Sequence, residues 1–357
     1  MDKRIDIKGM NREELRGLLK ELGKEEYRAR QIIHWLYDHK VDGFHEMTNL
    51  SKKLRELLHS KTRMEGPAVV EIEHSEDGSQ KFLFSLEDGL SIESVLIPDK
   101  RRLTLCVSTQ VGCAFGCRFC LTGHRGFSRD LSTSEIIGQA LAVGKILKTT
   151  SLTNIVLMGM GEPLANFENT MKALEIMSYN DGLRFSKRRI TLSTVGLIPE
   201  IEKLGRYPRR CRLAISLNAV DDHTRSLLMP INQSHPLEDL LAACRQFPLD
   251  PRERITFEYV LIRGINDSQD DAKRLSQILR GIRAKVNLIP YNESPHLPFE
   301  RPCEDRILAF QHALLEKNMT AIVRKSRGAD ISAACGQLMG QSQLVRGVSS
   351  KKAEQVT

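Results

Sequence analysis

The stretch Cys113-Ala-Phe-Gly-Cys117-Arg-Phe-Cys120 decides how the rest of the chain is read. It follows directly on a predicted strand, Leu103–Ser108, and spaces three thiols as C-x3-C-x2-C. Structural zinc takes four ligands, commonly as C-x2-C with a second pair elsewhere. Bacterial ferredoxin spacing differs and brings a fourth cysteine. Three thiolates from one loop instead wrap one face of a [4Fe-4S] cluster, ligate three irons and leave the fourth without a protein ligand. Cys113, Cys117 and Cys120 are therefore the candidate metal ligands, and the open iron is expected to bind something else. Gly112 and Gly116 let the loop turn tightly.

Downstream of this loop, strand and helix patterns alternate. Strands are predicted at Leu103–Ser108, Asn154–Met158, Arg189–Thr194, Arg212–Leu217, Ile255–Leu261 and Lys285–Ile289. Helices separate them, such as Glu135–Lys148 behind the Ser132…Glu135 capping box. A last helix, Glu304–Lys317, precedes a short strand at Thr320–Val323. Six β/α units imply an α/β fold with parallel strands and outer helices. A partial (β/α)6 TIM-like barrel fits better than the alternative, an open sheet. Either way, active residues belong at the carboxyl ends of the strands.

Upstream, Val69–Ile72, Lys81–Phe84 and Leu90–Ile97 read as hairpin strands, and three amphipathic helices precede them. The first opens at an Asn11…Glu14 capping box, the second runs from Arg28 to His39 and the third follows Ser51. The expected division is a helical accessory domain over 1–66, a β connector over 67–98, a core with its C-terminal segment over 99–335, and a polar tail over 336–357. The helical domain carries Lys20, Lys24, Arg28, Arg30, Lys52, Lys53 and Arg55 among interleaved acids, which suits either a solvated face or RNA docking.

The 357 residues are 41% hydrophobic and 27% charged, with a formal net charge of +8. Such a basic balance favours a polyanionic partner, above all nucleic acid. No run of about 18 uncharged apolar residues occurs, and the first ten residues lack the apolar centre of a signal peptide. A cytoplasmic protein without membrane contact is expected. Eight cysteines in a reducing compartment do not form a disulfide framework.

Further candidates fall at strand ends. Met158-Gly159-Met160-Gly161-Glu162-Pro163 closes the second strand, Ser193 the third, Ser216-Leu217-Asn218 the fourth and Asn292 the sixth. Cys106 lies seven residues before the cluster loop. Cys335 lies in Ser332-Ala-Ala-Cys335-Gly-Gln, behind the basic Arg324-Lys-Ser-Arg327. The cysteine loop, with the aromatic Phe119 before its last thiol, resembles that of the radical S-adenosylmethionine (SAM) superfamily, and Gly161-Glu162 resembles its Gly-Gly-Glu motif. That resemblance implies that SAM chelates the open iron and that Glu162 holds the SAM ammonium. Gly161, Glu162, Ser193, Ser216, Leu217, Asn218 and Asn292 are the implied SAM-binding set.

Across nearly the whole chain, the sequence resembles the RlmN family of dual-specificity RNA adenine-C2 methyltransferases. The likeness is carried by Tyr27-Arg-Ala-Arg-Gln-Ile32, Ile92-Glu-Ser-Val-Leu-Ile-Pro98, Gln110-Val-Gly-Cys113, Met158–Pro163, Val286-Asn-Leu-Ile-Pro-Tyr-Asn292 and the Cys335 segment. Asn218 departs from it, standing where histidine is common. The resemblance implies two SAM molecules used in turn, methylation of Cys335, resolution of a protein–RNA adduct by Cys106 through a transient Cys106–Cys335 disulfide, and Glu93 as proton acceptor. It implies 23S rRNA and tRNA as partners, an electron donor for the cluster, and a monomer. Lys187, Arg188, Arg189, Arg324, Lys325 and Arg327 are expected to hold RNA phosphates. Three alternatives stay open: a Cfr-type enzyme acting on adenine C8, a radical SAM enzyme acting on protein, and an RNA-binding protein with a structural cluster or zinc.

Overall fold

A computed structural model describes residues 4–147, 151–208 and 210–340. Lys148 and the tail expected after about 341 lie outside the described residues.

Ten strands form one sheet: β1 Ala68–His74, β2 Gln80–Ser85, β3 Ser91–Asp99, β4 Arg102–Cys106, β5 Asn154–Leu157, β6 Ile190–Thr194, β7 Arg212–Ser216, β8 Ile255–Leu261, β9 Ala284–Pro290 and β10 Ala321–Val323. Each strand pairs with its neighbours in sequence. From β4 to β10 every pairing is parallel, which is the six-unit β/α barrel expected plus its short closing strand. β10 and β1 are the two free ends, so the barrel is partial. The upstream hairpin strands do not form a layer of their own. β1 to β4 run antiparallel and continue the same sheet.

Local chemistry explains the boundaries. Asn11 and Ser132 cap their helices through reciprocal bonds with Glu14 and Glu135, each cap being worth about 1 kcal/mol. The second N-terminal helix spans Arg28–Ile33 and continues as a π-helix over His34–His39. The helix Thr133–Ile146 is buried along most of its length, because the helical N-terminal unit covers the side turned away from the sheet. A single apolar core runs from Leu15, Ile32 and Leu54 through Phe82, Leu105, Ile155 and Phe257 to Phe310. Each such side chain contributes roughly 1.5–3 kcal/mol by burial. No helix among the described residues is long and apolar enough to cross a membrane.

Candidate active site at the barrel mouth

The cysteine loop leaves the sheet just after β4. A small hairpin, Gln110–Gly112 paired antiparallel with Phe127–Asp130, frames it. At Gly112, φ is +79° and a Cβ would sit 1.8 Å from the Gly126 carbonyl oxygen, so no side chain fits. The Cys113 amide donates to that same carbonyl at 3.0 Å, and the Cys120 amide donates to Cys117 O at 3.1 Å.

All three loop thiols are free. Burial, helped by the loop thiols themselves, raises the Cys117 thiol well above its ordinary range, and burial pushes Cys113 up to about 12. Thiolates here need a positive partner. No three His, Cys, Asp or Glu side chains among the described residues are grouped to hold a single metal ion. The three thiols lie close enough to act on one another, as ligands of one polynuclear cluster would.

The mouth holds a cavity of about 150 Å³ at the carboxyl ends of β5 to β9. Cys120, Gly161, Glu162, Ser193, Ser216, Asn218, Asn292 and Cys335 all line it, so the structure brings eight of the sequence candidates together. Gly161 has φ +93°, and a Cβ there would lie 2.4 Å from the Gln110 Cβ. The Glu162 carboxylate is buried, accepts from the amides of Leu164 at 3.0 Å and Val195 at 2.8 Å, and pairs with no lysine or arginine among the described residues. Burial raises its pKa to about 7. The Tyr291 hydroxyl, on the same wall, is buried without a hydrogen-bond partner. A buried acid lacking a cation and an orphaned hydroxyl both call for a polar, cationic ligand, and the sulfonium amino acid SAM has that chemistry.

Other candidates stand differently. Leu217 is fully buried and does not line the cavity, because strand alternation turns it away from Ser216. The Asn218 side chain is engaged by the Val260 amide at 2.8 Å and the Met229 sulfur at 3.2 Å. Asn292 donates to the Cys335 carbonyl at 3.2 Å. Lys187, Arg188 and Arg189 precede β6, at the end away from the cavity, and Lys187 is paired with Asp250. Arg324, Lys325 and Arg327 follow β10, at the cavity end.

The Cys335 segment is tied down on several sides. The Leu121 amide donates to Gly336 O at 2.8 Å, and Thr122 Oγ1 donates to Leu338 O at 2.6 Å. The amides of Met339 and Gly340 donate to Glu93 Oε2 at 2.9 and 3.0 Å. Glu93 is thus buried under this segment and is not part of the cavity lining. Lys81 lies 3.7 Å from its other oxygen and donates to Ile331 O at 2.7 Å. Cys335 has solvent access yet is ringed by protein, which pushes its thiol up to about 11. Cys106, on β4, is buried, and that burial together with the nearby Cys335 raises its thiol far above the ordinary range. Both are free thiols.

Three residues at the site escaped the sequence reading. Glu258, the lone acid in the apolar run of β8, lines the cavity and accepts from Ser193 Oγ at 2.8 Å. Tyr291 contributes its orphaned hydroxyl. Arg225 is wholly buried beneath the cysteine loop, donating to the carbonyls of Val195 at 2.8 Å and Leu217 at 3.3 Å and to Asn232 Oδ1 at 2.9 Å. Burial lowers it to about 10 while Cys117 raises it in opposition. The signal for Glu258 was a single charge inside an otherwise apolar strand, whereas Arg225 lies in the polar run Asp222-His-Thr-Arg-Ser226 and gave none.

A three-thiol loop at the mouth of a partial parallel barrel, facing a buried glutamate, defines the radical SAM class. Residues 107–275 match the model of the Radical SAM superfamily, and residues 5–64 match that of the ribosomal RNA large subunit methyltransferase N-terminal domain. The chain is 53% identical to the dual-specificity RNA methyltransferase RlmN of Geobacter sulfurreducens, over 96% of this chain and 94% of that protein. It is 52% identical to the RlmN of Syntrophotalea carbinolica, over 95% and 91%. A crystal structure of a radical SAM methyltransferase from Sphaerobacter thermophilus superposes with a TM-score of 0.89 at 44% identity, covering 94% of this chain and 99% of that one. The chain belongs to the RlmN family of radical SAM methyltransferases.

Proposed function

We propose that this chain methylates carbon 2 of adenine in RNA, in the peptidyl-transferase centre of 23S rRNA and next to the anticodon of some tRNAs, with Cys335 carrying the methyl carbon. The observation that supports this most is the site of Cys335. It lines the cavity that Glu162 also lines, and the next residue is bonded to the one after Cys120.

Carbon 2 lies between two electron-poor ring nitrogens and is not nucleophilic, so ordinary polar methyl transfer does not reach it. When bound, a [4Fe-4S] cluster and SAM supply one-electron cleavage of SAM and hence a radical route. Cys113, Cys117 and Cys120 would hold the cluster. Glu162 would receive the SAM ammonium, while Gly161, Ser193, Ser216, Asn218 and Asn292 would surround the rest of SAM, with Leu217 packed behind them. The 150 Å³ cavity is below the roughly 300–1,000 Å³ of ordinary ligand sites, and Cys335 and Gly336 form part of its wall. The segment would therefore draw back to admit a ligand.

Cys335 Sγ would present its methyl carbon to a base unstacked from the RNA. Once that carbon is joined to the base, Cys106 Sγ would attack Cys335 Sγ. The S–C electron pair passes to the departing carbon, which takes up a proton, matching the one the Cys106 thiol gives up, and ends as a methyl group; a disulfide remains for reduction by a cellular thiol. Glu93 would accept the ring proton after the segment releases its carboxylate. Arg324, Lys325 and Arg327 would hold phosphates at the mouth, and residues 1–66 would form the accessory RNA-docking domain. A cytoplasmic monomer served by an external one-electron donor fits this chemistry.

The test is anaerobic reaction of the reconstituted protein with labelled SAM and RNA, followed by mass spectrometry of the digested RNA. Label on carbon 2 of adenine is expected. Label on carbon 8 would replace the proposal by a Cfr-type reaction, and label confined to protein would replace it by a protein-directed one.

A further inference from the structure

A second cavity, about 900 Å³ against about 150 Å³ at the barrel mouth, lies between the N-terminal helical unit and the outer side of the helix Thr133–Ile146. Its lining is charged unevenly, with six lysine and arginine side chains against three carboxylates. Lys8 is only 9% exposed, and no hydrogen bond or ion pair reaches its amine among the described residues. Three acids near it, Asp42, Asp6 and Glu65, favour its charge from a distance but are engaged elsewhere: Asp6 by Ser134 and by the Lys8 backbone amide, Asp42 by Lys145 and Glu65 by Arg4. Burial lowers the Lys8 pKa, and Lys145 lowers it further. Arg55 donates to His45 O at 2.6 Å and Arg63 to Glu87, yet each leaves a buried Nε without a partner. Phe44, Met64 and Leu141 supply an apolar wall.

Buried donors without partners are rare in folded proteins, and a largely buried ammonium with no direct ion-pair partner is costly. Here the Lys8 ammonium faces a cavity of ligand size that Arg4, Lys52, Arg55, Arg63 and Lys145 also line. An anion in the cavity relieves the Lys8 ammonium, with Arg55 and Arg63 adding positive charge beside it, and the apolar wall suits a planar group attached to it. We propose that this cavity is a nucleotide-binding site, with phosphate on Lys8, Arg55 and Arg63 and the base against Phe44, Met64 and Leu141. Two sources carry that chemistry, a free mononucleotide and a nucleotide within an RNA strand. Nothing in the site depends on the methylation chemistry at the mouth.

The experiment is calorimetric titration of the cluster-loaded full chain, without SAM, with adenosine monophosphate and separately with a short single-stranded oligoribonucleotide. Saturable binding of at least one is expected, weakened about tenfold or more in Lys8→Met, which removes a charged donor. Binding of the mononucleotide assigns a free nucleotide, and binding of the oligonucleotide alone assigns an RNA strand. Lys8→Met keeps the aliphatic stem and is expected to melt no lower than the parent. Arg55→Gln is a second variant expected to weaken binding. No saturable binding of either probe, or affinities within about twofold of the parent in both variants, overturns the assignment. RNA methylation is read separately, so its presence or loss does not decide this outcome.

Discussion

The Glu93 carboxylate accepts the backbone amide of Met339 at 2.9 Å, across 246 residues of sequence. With the Gly340 amide on the same oxygen and Lys81 beside the other, one buried acid holds down the end of the Cys335 segment. Glu93→Ala is therefore expected to speed hydrogen exchange at Met339 and Gly340 by about tenfold or more, since bonds to a charged acceptor are worth roughly 1.5–3 kcal/mol. Hydrogen-exchange mass spectrometry of the peptide spanning 336–340 reads this. Unchanged exchange would show that the segment's other bonds, to Leu121, Thr122, Asn292 and Glu293, hold it without Glu93.

Glu162 gives a pH signature. Its folded pKa, about 7, is raised above the ordinary 4.5, so the folded state binds an extra proton between those values. Its stabilising contribution is complete below pH 4.5 and is lost as pH rises through 7. In cluster-free protein, Glu162→Gln is expected to add up to ~3 kcal/mol at pH 8 and little at pH 4.5. Denaturant melts at the two pH values check this. SAM affinity should move oppositely in the parent, rising with pH through 7 as the carboxylate ionises, and should be lost in the variant.

Arg225 holds together the floor beneath the cysteine loop. Arg225→Met would strand the carbonyls of Val195 and Leu217 and Asn232 Oδ1. Leaving a buried acceptor unpaired costs roughly 1–3 kcal/mol, and three are left here. Chemical denaturation is expected to show that loss, together with a lower iron content after reconstitution. A loss below about 1 kcal/mol would mean that the loop does not depend on this guanidinium.

Much of this was legible because it is local. The C-x3-C-x2-C spacing, the Asn11 and Ser132 capping boxes and the alternation of strands with helices each declare themselves within about a dozen residues. The six parallel strands followed from the β/α alternation, and six of the cavity residues, Gly161, Glu162, Ser193, Ser216, Asn218 and Asn292, followed from the rule that barrel sites gather at strand carboxyl ends. What depended on distant partners was hidden. Strand register turned Leu217 into the core, and Asn218 spent its amide on Met229 and Val260. The antiparallel β1 to β3 read as a separate connector because strand patterns do not show which sheet they join. Arg225, among Asp222, His223, Thr224 and Ser226, looks in sequence like an ordinary surface charge. Lys187 to Arg189 were read as phosphate contacts on charge alone, whereas their position before β6 puts them at the opposite end of the barrel.

The central claim is that Cys335 carries the methyl group while the three loop cysteines serve only the cluster. The most direct measurement compares Cys335→Ala with the parent, scoring iron and sulfide content alongside methyl transfer to RNA. The account predicts full cluster content, retained reductive cleavage of SAM, and no methylated adenine. Methylated adenine at the parent's level in Cys335→Ala, with the cluster intact, would contradict it.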